Sequence, residues 1–281
     1  MLRRSLLLLV VVAFAPGVFA APAVTSGAGL AAATAARDSF RTTLGGGLVA
    51  GANGSFGGVR REINWDGVGD AFAAPNSLPA NFFNVNSPRG VVFSTPGTGV
   101  QVSGNAGVAP VRFDNINASY SATFVAFSAQ RLFTALGSTI VDVNFFVAGT
   151  TTPASVSGFG SIFTDVDNAN VTSIEYFDSN NVSLGKFFVP AANADVSFLG
   201  VAFTAGERIG RVRITSGNAA LGPADAPPTT DVAVMDDFLY SEPRETVVQV
   251  PTLSVWGVLL LGSLLAYAGM ARVRSRRVRR V

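Results

Sequence analysis

The sequence predicts an all-β ectodomain, a sandwich or barrel, over residues 56–245. Two segments alternate clearly. In the run Arg211, Val212, Arg213, Ile214, Thr215, the aliphatic residues face a core and both arginines face water. From Asp231 to Tyr240, period two places Val232, Val234, Phe238 and Tyr240 on one face together with Asp236. Turn residues recur roughly every eight to twelve positions between short apolar stretches. The chain carries 22 phenylalanines, and twenty of them fall after residue 20, a composition suited to packed sheet faces.

Taken in order, residues 1–20 have the layout of an export signal. Arg3 and Arg4 form a basic start, 6–15 an apolar run, and Pro16 with Gly17 a break; Val18 and Ala20 then place the cut after Ala20. Residues 21–55 are a lead-in: 21–36 read as flexible Ala/Gly-rich chain. A short helix is expected from Asp38 to Leu44, where Phe40 and Leu44 stand at i, i+4, ended by three glycines at 45–47. Strands are expected at 58–64, 90–94, 99–103, 119–128, 137–147, 156–164, 171–177, 182–189, 196–204, 210–215 and 231–240. Asp178, Ser179, Asn180 and Asn181 form a hairpin loop, because Asp and Asn tolerate left-handed backbone and make local turns. The segment 222–228, with glycine and three prolines around Asp225, is a surface loop. Pro243 closes the domain, and 246–281 is a separate C-terminal segment.

Composition excludes several chemistries. There is no cysteine, so an exported domain must be held by its core or by a metal rather than by disulfides. There is no histidine, which removes the commonest general base and every Ser-His-Asp or Cys-His arrangement. Lys186 is the one lysine, which argues against Schiff-base chemistry and phosphate loops. The formal charge of +2 hides an asymmetry. Eight cations lie in the two ends, and 21–250 holds twelve cations against all eighteen acids, a net charge near −6. Nucleic acid is not an expected partner of such a domain.

Three constellations are candidates for a site. Asp165, Asp167, Asn168 and Asn170 put four oxygen-bearing side chains directly after a strand, which suits calcium; a polar turn satisfied by its own backbone is the alternative. Asp236 and Asp237 stand in an apolar strand, so Asp236 is expected to be ion-paired or to hold a structural calcium. Trp65 with Asp66 makes a sugar platform if exposed and a core ring beside a turn if not. A carboxylate-dependent glycoside hydrolase would draw two acids from Asp66, Asp70, Asp165, Asp167, Glu175 and Asp236. It is the secondary reading, and no catalytic residue is assigned.

The tail points to destination. Val250, Pro251, Thr252, Leu253, Ser254, Val255, Trp256 and Gly257 precede a stretch with no charge up to Ala271. Arg272, Arg274, Arg276, Arg277, Arg279 and Arg280 follow. As a helix, 253–271 would reach roughly 28 Å, near the hydrocarbon thickness of a bilayer, with the arginines held on the cytoplasmic side. The motif resembles the IPTL-CTERM signal, a relative of PEP-CTERM, with Val250 in place of isoleucine. The resemblance implies an exosortase-type membrane protease as partner. It also implies a route through the inner membrane to the envelope, surface or extracellular matrix of a Gram-negative bacterium. Between about 90 and 240 the order of Asp165, Asp167, Glu175, Asp178 and the Asp236–Asp237 pair is similar to jelly-roll ectodomains with such tails. That likeness implies a jelly-roll-like sandwich, with exopolysaccharide binding by analogy. The expected function is a non-enzymatic structural or adhesive protein; a permanently anchored single-pass protein is the further alternative.

Overall fold

Alternation and turn chemistry resolve into two stacked antiparallel sheets. The computed structural model describes residues 21–46, 58–104, 111–128, 130–246 and 255–278. The expected signal peptide with its cut after Ala20 lies outside the described residues, as do Val250, Pro251, Thr252, Leu253, Arg279 and Arg280. The chain divides into two units, Met1–Thr246 and Val247–Val281.

The first unit begins with β1 (Ala23–Ala28), α1 (Leu30–Thr43), β2 (Arg60–Ile63), α2 (Phe82–Val85), β3 (Val91–Ser94) and β4 (Gly99–Val102). It continues with α3 (Tyr120–Thr123), β5 (Phe133–Leu136), β6 (Ile140–Phe145), β7 (Ala154–Ser155), β8 (Gly158–Val166) and β9 (Ser173–Phe177). β10 (Ser183–Phe188), β11 (Ala192–Ala202), β12 (Arg211–Thr215), β13 (Val234–Ser241) and β14 (Arg244–Glu245) complete it. One sheet runs β1-β11-β8-β13-β5-β4, with β2 also paired to β13; the other runs β10-β9-β12-β6-β3. β7 and β14 make a small third pair. Among the described residues the two main sheets have seven and five strands, and the architecture is an antiparallel β-sandwich.

The main core lies between the sheets. Phe93, Val143, Ile174, Val212 and Ile214 from one meet Phe133, Phe159, Phe163, Phe238 and Tyr240 from the other. Val212 and Ile214 point inward and the arginines outward, as the alternation of β12 predicts. The outer face of the larger sheet is also covered, since Ala33, Ala36 and Phe40 of α1 pack on Ile162, Phe198 and Leu239. Strands covered on both faces lose their alternation, and β8 and β13 are buried along their whole lengths.

Four local expectations differ from the structure. The lead-in is ordered: 23–28 pair with β11 as an edge strand, and the alanines after Gly29 extend the expected short helix back to Leu30. No strand forms at 119–128. The Asn117 carboxamide accepts from the Ser119 amide and hydroxyl and starts the helical turn α3, whose Tyr120 packs with Phe113 and Phe124. The strand expected at 137–147 is shorter, β6 at Ile140–Phe145: Gly137, at φ 69°, lies in the turn after β5, where the chain passes from the larger sheet to the smaller one. Finally, β13 carries a bulge between Met235 and Phe238. The extra residue reverses the phase, so Phe238 and Tyr240 enter the main core with Met235, whereas Val232 and Val234 join Phe113, Tyr120 and Leu132 in a separate cluster.

The second unit contains α4 (Val255–Val278). Trp256, Gly257, Arg272, Arg274, Arg276 and Arg277 fall within it. Among the described residues no helix is long and apolar enough to cross a membrane. Residues 253 and 254 of the expected span 253–271 lie outside the described residues.

The contact of α1 with the sheet needs a missing side chain. A Cβ on Gly200 would stand 2.8 Å from the Phe40 ring and 2.9 Å from Phe198. Gly200→Ala is expected to destabilise the protein by about 1–3 kcal/mol. Urea unfolding would measure this; an unchanged midpoint would mean that α1 does not hold the sheet as described.

Candidate metal centre

The end of β8 and the approach to β13 converge on one acidic site. Asp165, next to last in β8, is in a left-handed conformation, φ 64°, which an aspartate tolerates better than most side chains. Its Oδ1 accepts the amide of Ala194 at 2.8 Å, and its Oδ2 has no hydrogen-bond partner. Asp167 follows, and neither of its carboxylate oxygens has a partner. Asp225 arrives from the 222–228 loop, its Oδ1 fixed by the amide of Val232 at 3.0 Å. Ligand oxygens of Asp165, Asp167 and Asp225 lie within 4.8 Å of one another. Asp231 borders them, with Oδ2 accepting the amide of Asn168 at 2.9 Å and Oδ1 unpartnered.

Burial is the main force on these groups. It pushes Asp165 up to about 6, against the hydrogen bond from Ala194 and with help from Asp225 and Asp231. It pushes Asp167 up to about 7, reinforced by the approach of Asp225 and by Asp165. Asp231 is raised by burial and eased down by amides of Asn168 and Asp167. Crowded acids of this kind keep protons or take a cation.

The structure joins two of the sequence candidates to two acids from elsewhere. Asp165 and Asp167 belong to the site. The carboxamide of Asn168 instead donates to the carbonyl of Pro228 at 3.2 Å, and Asn170 serves the turn, at φ 64°. Asp236 lies outside the site: its Oδ2 accepts the amides of Phe127 at 2.7 Å and Ser128 at 3.2 Å, and its Oδ1 the Ser128 hydroxyl at 3.0 Å. The carboxylate of Asp236 is thus engaged by the 127–128 backbone rather than by a salt bridge. Asp225 and Asp231 were not foreseeable as partners. Asp231 stands 63 positions beyond Asn168, and nothing local in a proline-rich loop marks an acid as turned inward. The one available signal was that Asp225 and Asp231 stand in a run, 214–243, without lysine or arginine.

Trp65 is 1% exposed, so it is the core ring of the two readings. It stacks on Phe133 at 4.2 Å and 3°, meets Phe238 edge-on at 4.9 Å, and donates its indole N–H to the carbonyl of Asp236 at 2.8 Å. Asp66 accepts from the amide of Arg131 at 3.1 Å and the Ser128 hydroxyl at 3.3 Å. One side of Trp65 borders a cleft of about 280 Å³ lined also by Asn64, Phe82, Phe83, Asn86 and Arg89.

Residues 249–280 match the IPTL-CTERM motif family, so the C-terminal segment is a PEP-CTERM-like sorting domain. No curated protein and no solved structure matches the chain.

The Asp236–Asp237 pair carries a pH signature. Burial raises both carboxyls, and for Asp236 the adjacent Asp237 charge adds to it; Arg37 opposes and Glu62 assists the rise at Asp237. The native state then binds more protons than the unfolded chain above the ordinary carboxylate range near 4, so stability falls as pH rises, by up to about 1.4 kcal/mol per pH unit per extra proton. Asp237→Asn supplies a permanent N–H in place of the shared proton. Thermal melts from pH 4 to 7 should show a shallower decline than the parent and equal or higher stability at pH 7. A parallel pair of profiles would remove the shared-proton account.

Proposed function

We propose that this chain is an exported, non-enzymatic surface or matrix protein, passed by its C-terminal sorting segment to an exosortase-type membrane protease. The observation that carries this reading is the IPTL-CTERM motif over 249–280. The segment would lie transiently at the inner membrane before the protein reaches the envelope, surface or matrix. There the sandwich acts as a structural or adhesive component that contacts exopolysaccharide. In the absence of cysteine, calcium at Asp165, Asp167 and Asp225 serves as a staple.

Three observations support a non-enzymatic role. The chain has no histidine or cysteine. The other acids named for hydrolysis are held in separate structural settings, Asp70 by Arg131 at 2.5 Å, Glu175 by the Ser183 hydroxyl at 2.8 Å, and Asp66 with Asp236 around Ser128, while Asp165 and Asp167 converge on the proposed metal site. Asp66 and Asp236 approach one hydroxyl, but Asp236 is fully buried, whereas glycoside hydrolysis needs two acids across an open groove. The cleft beside Trp65 is a place for a sugar unit, with aromatic residues, Asn64 and Asn86 in its lining.

Intact mass of the endogenous protein, from fractionated cells and medium, is expected to end near 250–252 in the envelope or medium. A mass running through Val281 in every fraction would make the tail a permanent part of the protein and overturn the sorting reading. The producer's own polysaccharide should bind the purified chain, and Asn64→Ala with Asn86→Ala should weaken that binding about tenfold, the equivalent of roughly 1.4 kcal/mol. Equal binding by parent and double variant would move the contact away from the cleft.

A further inference from the structure

The calcium reading above names three acids; the geometry points to a fourth and to what the ion holds together. We infer that Asp165, Asp167, Asp225 and Asp231 form one site for a calcium-sized divalent cation that ties the 217–231 segment to the turn between β8 and β9. This rests on the proposed structural calcium.

Asp165 is 1% exposed and Asp231 0%, yet each keeps one carboxylate oxygen without a partner, beside two unpartnered oxygens of Asp167. None of the four is in an ion pair among the described residues. Buried carboxylates in this state are costly unless paired or metal-bound. Oxygens of Asp165, Asp167 and Asp225 lie within 4.8 Å of one another and can surround an ion that binds oxygen at 2.3–2.6 Å. Asp231, held beside them through the Asn168 amide, keeps its unpartnered Oδ1 as the further ligand we infer.

Asp231 is held from both sides. Its amide donates to the carboxamide oxygen of Asn218 at 2.9 Å, and its carbonyl accepts the amides of Asn218 at 2.9 Å and Ala219 at 3.2 Å. Gly217 makes this possible: at φ 62°, a Cβ there would fall 2.1 Å from the Asp231 carbonyl. The same glycine donates its amide to Thr172 Oγ1, at the start of β9, at 2.9 Å. The base of the segment is therefore pinned by hydrogen bonds, while at its tip Asp225 faces two like charges. Without a cation that tip is repelled; with one it is clamped.

The test compares the purified full chain with Asp225→Asn and Asp231→Asn, in chelator, magnesium and calcium. Asparagine can still accept the amides of Val232 and Asn168 but carries no charge. For the parent, calcium at about a hundredfold over its Kd should raise Tm by roughly 5–10 °C, and magnesium by less. Calcium should also suppress proteolytic cuts within 217–231, mapped by mass spectrometry. Both variants should melt at or above the parent in chelator, because repulsion is relieved, and should lose most of the calcium shift. A full calcium shift in Asp231→Asn overturns the four-acid site and leaves the three-acid calcium reading standing. No shift in the parent overturns both. Should Asp231→Asn fail to fold, Asp225→Asn in the exposed loop decides: an unaltered calcium shift or unaltered protection of 217–231 overturns the clamp.

Discussion

The bulge at Asp236 and Asp237 is the constraint on which much of the sandwich depends. β13 pairs with β8, β5 and β2, so one extra residue in it resets which side chains face the main core. Phe238 and Tyr240 turn inward with Met235, and the carbonyl of Asp236 is left to receive the indole N–H of Trp65. That bond holds Trp65 in its left-handed conformation, φ 66°, at the centre of a cluster with Phe83, Phe93, Phe133 and Phe238. The displaced Asp236 carboxylate captures the amides of Phe127 and Ser128 and so anchors the irregular segment after α3.

Polar burial takes two forms in this fold, and they imply different roles. Arg61 and Glu242 are buried together in a bidentate pair, at 2.7 and 2.8 Å, beside the main core. Such a pair satisfies itself and asks for nothing from outside. The four aspartates near the end of β8 have no cationic side chain among their described ion pairs, and their orphaned oxygens ask for a proton or an ion. The domain has no cysteine, so no disulfide ties these segments together, which is the setting of the proposed divalent cation.

The legible strands were those with one wet face, such as β12, which alternates, and the legible turn was the aspartate- and asparagine-rich hairpin between β9 and β10. Asp178 Oδ1 accepts the amides of Asn180 and Val182, each at 2.8 Å, as the hairpin composition implies. Legibility failed where packing overrode pattern. The Ala/Gly lead-in has almost no local signal for a strand, and 23–28 become one because the edge of β11 was open to pair with it. The run at 119–128 is apolar enough for a strand, but the Asn117 turn and Pro223, which accepts the Tyr120 hydroxyl at 2.7 Å, draw it into a separate cluster. Of the acidic site, Asp165 and Asp167 could be read locally, whereas Asp225 and Asp231 could not.

The sequence by itself determined what depends on local order and on residue inventory. The tail motif, its uncharged run and its arginines specify a sorting segment, because each part acts through its place in the chain. The absence of histidine and cysteine closes off whole classes of chemistry wherever the chain goes. Only the tertiary structure decided what depends on distance between remote segments. It buried the ring of Trp65, bound the Asp236 carboxylate to Phe127 and Ser128, and set Asp225 and Asp231 beside Asp165 and Asp167. The physical reason is that β8 and β13 become neighbours only through pairing of the folded sheet, and electrostatic demand arises only once water has been excluded from between them.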